Sequence, residues 1–287
     1  MKLHNGVEIP PIGFGTYNLQ VDRIKGGMDL AVETAILCGY RLFDTAHNYG
    51  SEETLGAALQ HVVDSGLVLR EDIFIQTKFH PETPYGYQTV MRQFEESINK
   101  LRVDYLDAYM IHVPVPRYSE EKYRERNIDV WKAFEELYYK GKIRAIGVSN
   151  FLERHILQLS ENCREIPMFN QIEVHPFYQE RGLAKWCQTH GTAVQGWSPL
   201  ARGDVFKNDI LKAIAQKHGK TIPQVCLRWA LQRDIIPIVA AADPNFIKEN
   251  ADVFNFTLDL TDMEEISALN TNTEHWDIWM YKRQQMY

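Results

Sequence analysis

Asp44, Tyr49, Lys78 and His112 offer a carboxylate, a phenol, an ammonium and an imidazole. These are groups that proteins use to hold, give and take protons. Three of them end short apolar or β-branched runs: Asp44 in Leu-Phe-Asp, Lys78 in Phe-Ile-Gln-Thr-Lys and His112 in Tyr-Met-Ile-His. Tyr49 follows Asp44 closely, in Ala-His-Asn-Tyr-Gly. Taken singly, each has an ordinary reading: a helix-capping Asp, a solvated rim Lys, a structural His. Their recurrence at the ends of successive runs points instead to a shared acid–base site.

The runs that must position them alternate with longer stretches of helical spacing. Strands are expected at Ile12–Thr16, Leu42–Asp44, Ile73–Thr77, Leu106–Ile111, Ile143–Val148, Phe169–Glu173, Ala193–Trp197 and Ile235–Val239. Helices are expected near Ile24–Cys38, Glu52–Val63, Tyr87–Lys100, Asp129–Tyr139, Glu153–Ser160, Leu183–His190, Asp209–His218 and Asn245–Ala251, with an additional one at Pro223–Gln232. Asn5-Gly6 marks a short N-terminal hairpin. Strand-then-helix repetition implies parallel strands with crossover helices, and eight units imply a closed (β/α)8 TIM barrel, an α/β fold. An open doubly wound sheet is the alternative, weakened because no GxGxxG follows the first strand. No linker or composition break divides residues 1–287, so a single barrel domain is expected. Active sites of such barrels lie at the C-terminal ends of the strands, where Asp44, Lys78 and His112 fall. The segment Val113–Ile128, rich in Pro, Tyr and charge, reads as a long functional loop.

Composition excludes several classes. With 45% hydrophobic and 24% charged residues the chain is ordinary globular protein, and a net charge of -7 disfavours nucleic acid or an anionic membrane as partner. No apolar run approaches the ~20 residues of a membrane span. The N-terminus lacks the apolar core of a secretion signal, so the cytoplasm is expected. Cys38, Cys163, Cys187 and Cys226 form no CxxC pair and read as buried thiols. The histidines form neither HxH nor HExxH, so no metal is expected.

The motifs as a set resemble the aldo-keto reductase family over essentially the whole chain. The resemblance is carried by Gly13-Phe-Gly-Thr-Tyr17, Phe43-Asp-Thr-Ala46 with Tyr49-Gly50, Thr77-Lys78, and Ile111-His112 with Pro114. It continues through Gly141–Phe151, Asn170-Gln-Ile-Glu-Val-His-Pro176, Trp197-Ser-Pro-Leu200 and Ile247-Lys-Glu-Asn250. It implies nicotinamide-dependent reduction of an aldehyde or ketone, with Tyr49 as general acid. Lys78 is then expected to lower the Tyr49 pKa, Asp44 to pair with Lys78, and His112 to orient the carbonyl. The resemblance further implies that Ser149, Asn150 and Gln171 hold the nicotinamide carboxamide and that Trp197 stacks on the ring. Gly15, Thr16 and Tyr17 would lie beside the cofactor, Ser198 and Leu200 along the pyrophosphate, and Glu249 and Asn250 near adenine. Tyr17, Phe79, His112 and Val113 would line the substrate pocket, with the C-terminal tail Trp276–Tyr281 as a further wall.

The chain departs from the family at the 2′-phosphate contacts. A Lys, a Ser and an Arg are replaced by Ala240, Ala241 and Phe246. Those residues carry no charged or forked donor, so NADH or dual use is expected over strict NADPH dependence, with Arg202 or Lys248 as the alternative holders of a phosphate. The expected partner is a small carbonyl substrate. The expected assembly is a monomer, with a dimer as alternative. The competing function is a non-catalytic barrel that binds cofactor as a scaffold or regulator; a metal-dependent hydrolase is disfavoured by the scattered histidines.

Overall fold

The computed structural model describes residues 1–17, 19, 24–82, 84–114, 123–272 and 274. The sequence alternation resolves into eight strands: β1 Gly13–Gly15, β2 Leu42–Asp44, β3 Phe74–Phe79, β4 Leu106–Ile111, β5 Ile143–Ser149, β6 Phe169–Glu173, β7 Ala193–Trp197 and β8 Ile235–Val239. All neighbours pair in parallel, and β8 returns to β1 to close the barrel. Closure removes both sheet edges, and it explains why the strands are buried along nearly their whole length.

Helices α1 Gly27–Leu37, α2 Glu52–Asp64, α3 Tyr87–Leu101, α4 Tyr123–Tyr139, α5 Glu153–Ser160, α6 Arg181–Thr189, α7 Asp209–His218, α8 Ile222–Leu231, α9 Pro244–Ala251 and α10 Leu260–Ala268 cover it. Local chemistry sets several of their starts. Thr221 and Gln224 form a capping box at α8, whose Pro223 costs no hydrogen bond in the first turn. Asn208 and Asp259 accept the backbone N–H of Leu211 and Asp262 at the starts of α7 and α10.

Two expectations change. α4 begins at Tyr123, six residues before the expected Asp129, so part of the supposed loop is helix; residues 115–122 lie outside the described residues. The polar Arg-Glu-Arg-Asn stretch that read as loop is instead the start of that helix, with Arg124 and Glu125 exposed and Asn127 buried, where it accepts from the Tyr85 hydroxyl at 2.7 Å. α10 was not expected, because Asp259-Leu-Thr-Asp followed no predicted strand. The N-terminal hairpin reduces to a tight turn with one antiparallel bridge, Lys2 to Glu8. The tail Trp276–Tyr281 lies outside the described residues.

Period-two alternation decides what each strand residue does. On β3, Gln76 and Lys78 reach Asp44 in the barrel interior. Thr77 and Phe79 face the helices instead: Thr77 Oγ1 donates to Glu52 of α2, and Phe79 packs against Tyr85 and against Phe134 of α4. Gly147 of β5 stands beside Phe169 of β6. A Cβ there would sit 2.4 Å from the Phe169 ring, so only glycine lets that ring lie over the neighbouring strand.

The two ends of the barrel are both polar. At the N-terminal end, Asp107 of β4 accepts from Arg70 Nη1 (2.9 Å), Arg144 Nη1 (2.7 Å) and the Ile75 backbone N–H (3.0 Å). At the C-terminal end sits Asp44.

Candidate active site

Lys78 projects from β3 onto the last residue of β2. Its Nζ donates to Asp44 Oδ1 (2.7 Å), Asp44 Oδ2 (2.8 Å) and the Thr45 carbonyl (2.8 Å), which uses all three ammonium hydrogens. The side chain is 0% exposed. Burial pulls the Lys78 pKa down, while Asp44 and then Glu52 pull it back up, and the net direction is downward. A buried ammonium with one dedicated carboxylate is the arrangement expected from the sequence.

The same ammonium lies 4.8 Å from the centre of the Tyr49 ring. The Tyr49 hydroxyl is 3.5 Å from His112 Nε2, a long separation that leaves both groups facing one point in the cavity. Tyr17 packs edge-on against Tyr49, with ring centres 4.9 Å apart. The expected direction of the Tyr49 shift is reversed. Burial holds the phenol well above its usual value, and the charges of Asp44 and Tyr17 add to that. Burial is the first reason, and beside it Lys78 arrives already neutralised by Asp44, so Tyr49 meets an ion pair rather than an isolated cation. His112 shifts the other way: burial, then Lys78 and His80, push it well below 6.5, so the imidazole is neutral across the physiological range. The site therefore presents a neutral phenol and a neutral imidazole side by side over a buried ion pair.

These groups open onto a cavity of about 530 Å3 at the C-terminal end of the barrel. Among the expected residues it gathers Asp44, Tyr49, His112, Val113 and Tyr17 at the reacting end. Gly15, Ser149, Asn150, Gln171 and Trp197 line the middle. Ser198, Leu200, Arg202 and Ala240 line the far end. Phe79 is not part of it, since its parity on β3 turns it into the helical layer, and the expectation of a substrate wall there is corrected. Thr16 also turns away, donating to the Asp44 carbonyl (3.0 Å) and sharing a hydrogen bond with Ser51 Oγ (2.8 Å). Ala241, Phe246, Glu249 and Asn250 fall outside the cavity wall; Glu249 instead accepts from Thr221 Oγ1 at 2.8 Å, and Phe246 is 58% exposed.

The middle of the cavity is held by hydrogen bonds between strand ends. Ser149 Oγ donates to the Gln171 carbonyl (2.8 Å), and Asn150 Nδ2 to the His112 carbonyl (3.0 Å). Trp197 Nε1 donates to Asn150 Oδ1 (3.0 Å), which fixes the plane of the indole against the cavity. Asn150 adopts φ 61°, a left-handed conformation that Asn tolerates better than most residues. Past Trp197 the chain turns sharply, with Ser198, Ala201 and Arg202 all at positive φ. Non-glycine residues held at positive φ cluster at functional sites.

Sequence reasoning missed Gln76 and Gln195. Both point into the barrel beneath the cavity, and Gln76 Nε2 donates to Asp44 Oδ2 at 2.7 Å. The signal was present: each is a lone amide inside an apolar strand, at the same parity as Lys78 or Trp197. Leu152, Arg154, Tyr178 and Phe206 also line the cavity without having been singled out. No cluster of three or more His, Cys, Asp or Glu side chains that could hold a metal occurs among the described residues. Nor is any described helix long and apolar enough to cross a membrane.

A nicotinamide dinucleotide suits these residues. The Gln171 Nε2 is committed to Asp44 (2.9 Å) and Gln195 (2.8 Å), which leaves its Oε1 as an acceptor at the cavity wall for an amide N–H. Trp197 supplies a flat apolar face and Gly15 a bare backbone, where a Cβ would already stand 3.0 Å from Ile238.

The sequence model of the aldo/keto reductase family matches residues 11–271. A glyoxal reductase of Bacillus subtilis is 42% identical over 272 residues, covering 94% of this chain and 92% of its own. An NAD(P)H-dependent D-xylose reductase of Scheffersomyces stipitis is 35% identical over 316 residues, covering 97% of this chain and 96% of its own. The crystal structure of a Bombyx mori aldo-keto reductase in complex with NADP superposes with a TM-score of 0.89 at 32% identity, covering 97% of this chain and 94% of that one. The chain belongs to the aldo/keto reductase family, oxidoreductases that reduce carbonyl groups with NAD(P)H.

Proposed function

We propose that this enzyme reduces a small aldehyde or ketone, with Tyr49 giving the proton, His112 orienting the carbonyl oxygen and the Asp44–Lys78 pair fixing Tyr49 in place. The observation that carries this reading is the 3.5 Å separation of the Tyr49 hydroxyl and His112 Nε2 at one wall of the cavity. A carbonyl oxygen set between them accepts from both, which orients it and polarises it. A bound nicotinamide supplies the hydride. As negative charge grows on that oxygen, the phenol proton is the nearest one available to it. The raised Tyr49 pKa is compatible with this role, because an alkoxide is a stronger base than a phenolate and takes the proton regardless. A neutral His112 donates without competing for that proton, which requires the tautomer with hydrogen on Nε2.

Trp197, Gln171 and Ser149 would hold the nicotinamide, and the strained loop from Ser198 to Gly203 the diphosphate. NADH or dual use is favoured over strict NADPH dependence. Ala240, Ala241 and Phe246 offer a 2′-phosphate no donor side chain, and the neighbouring Asp243 brings a carboxylate, paired with Lys25 at 3.3 Å. A phosphate would have to rely on Arg202 at the cavity wall, on the exposed Lys248 or on Lys25 drawn away from Asp243. The glyoxal reductase relative supports a small aldehyde as substrate.

The test is titration with NADH and NADPH separately, followed by turnover of glyoxal. Tighter NADH binding with turnover supports the reading. Tight NADPH binding that Arg202→Ala abolishes overturns the cofactor preference alone, and binding of neither cofactor overturns the whole.

A further inference from the structure

The buried amides beneath the cavity form a closed set. Gln76 Nε2 donates to Asp44 Oδ2 (2.7 Å) and Gln195 Oε1 (2.9 Å). Gln171 Nε2 donates to the same two oxygens, at 2.9 and 2.8 Å. Gln195 Nε2 returns a hydrogen bond to Gln76 Oε1 at 2.9 Å. All three glutamines are buried. An ionised carboxylate only accepts, so both Gln76 and Gln171 must turn their NH2 groups toward Asp44. Their second hydrogens then fall on Gln195 Oε1 and fill both of its lone pairs. A Gln171 flipped by half a turn would set its oxygen against Asp44 and Gln195 Oε1 at once, two acceptor-to-acceptor contacts.

We propose that Gln76 and Gln195 are positioning residues. Gln76 fixes the Asp44 carboxylate in one orientation under Lys78, and Gln195 locks Gln171 with its Oε1 facing the nicotinamide carboxamide. The proposal rests on the reading of Asp44, Lys78 and Tyr49 given above and deepens it. The carboxylate that holds Lys78 and the amide that reads the cofactor bond each other directly, and Gln195 closes the same hydrogen-bond set from below.

The experiment compares wild type with Gln195→Leu, Gln195→Glu, Gln76→Met and Tyr49→Phe, measuring NADH affinity by tryptophan fluorescence quenching, glyoxal turnover against pH, and thermal unfolding. Gln195→Leu removes the shared acceptor and is expected to weaken NADH binding on the order of tenfold. Gln195→Glu, kept neutral by the adjacent Asp44, retains one acceptor and one donor and is expected to restore NADH affinity to within about threefold. Gln76→Met keeps the Gln171–Gln195 bond and so keeps NADH affinity. It loosens Asp44 and so holds the Lys78 ammonium beside Tyr49 less firmly, and the alkaline limb of turnover moves to lower pH. Folded Gln195→Leu and Gln76→Met proteins with wild-type NADH affinity and wild-type pH limbs would overturn the proposal. If Gln195→Leu does not fold, an unmoved limb in Gln76→Met overturns it alone. Tyr49→Phe separates the two levels: if it still turns over, the catalytic reading itself fails, and if it is inactive while the glutamine variants behave as wild type, only the positioning role fails.

Discussion

Asp44 and Asp107 are buried aspartates at opposite ends of the same barrel, and each holds a cation. Asp107 is held by two arginines that reach water, with side chains 24% and 43% exposed. Arg70 also donates to the carbonyls of Ile73 (2.9 Å) and Tyr105 (3.0 Å) and lies 4.1 Å over the Tyr105 ring. The guanidinium is thus a clamp, joining β3, β4 and the turn before β3. Among the described residues Lys78 is the one cation on Asp44, fully buried, with its three hydrogens spent on Asp44 and the Thr45 carbonyl. A compact ammonium brings a charge to one point, whereas a planar guanidinium distributes donors over several elements. The difference separates a carboxylate that joins strands from one that tunes a neighbouring phenol.

The largest effect is expected from Asp44→Asn. It leaves Lys78 buried without a counter-charge, and turnover should fall on the order of 10³-fold, in the range of a lost acid–base contribution. The same change should cost about 3 kcal/mol of stability, as for other uncompensated buried charges. Steady-state kinetics beside denaturant unfolding checks both. Retained turnover would dissolve the distinction between the two aspartates.

Asp107→Asn should give the converse. Arg70 and Arg144 lose their carboxylate but keep water, so the cost falls below that of Asp44→Asn, at about 2 kcal/mol. The kcat for glyoxal should stay within about twofold of wild type, since no catalytic group touches Asp107. A large loss of turnover in a folded protein would mean that the floor of the barrel is coupled to its rim.

Arg70→Lys sharpens the contrast at a smaller scale. Lysine reaches Asp107 but cannot also serve Ile73 and Tyr105, and a loss of about 1 kcal/mol is expected with activity unchanged. Its mirror, Lys78→Arg, should lower turnover on the order of 10²-fold, because a planar group fits poorly in a fully buried site shaped for three convergent bonds. Equal tolerance at both positions would show that the choice between Lys and Arg carries no functional content here.

The two ends were not equally legible in the sequence. Asp44, Lys78 and His112 announced themselves by closing apolar runs, and all eight strands are found within two residues of their expected ends. Asp107 gave no such signal, because its arginines come from other segments and meet it only through the closed barrel. Gln76 and Gln195 were hidden for a related reason: their partners, Asp44 and Gln195 for Gln76 and the amides of Gln76 and Gln171 for Gln195, stand on other strands, and sequence parity shows only that both point inward. Phe79 was misplaced because closeness to Lys78 was read as closeness to the site, although adjacent strand residues face opposite sides. The Tyr49 shift was misjudged because the effect of Lys78 was weighed before that of its counter-ion and before burial.

The smallest effect separates the ends by pH. His112 at the rim is held well below 6.5 by burial, Lys78 and His80, and none of the groups around Asp107 is a histidine. In the unfolded chain a histidine takes up a proton near pH 6.5, whereas folded His112 does not until the pH is lower. The unfolded state therefore binds more protons in that window, so stability is complete above about pH 6.5 and declines as the pH falls below it. The slope is bounded at about 1.4 kcal/mol per pH unit for one group. His80 is shifted in the same direction and adds to the decline. Unfolding curves at pH 7.5 and 5.5 should show a smaller acid loss in His112→Gln than in wild type. Asp107→Asn should run parallel to wild type, displaced downward at both pH values. A His112→Gln curve parallel to wild type would place the proton uptake away from the rim, and the neutral imidazole beside Tyr49 would lose its support.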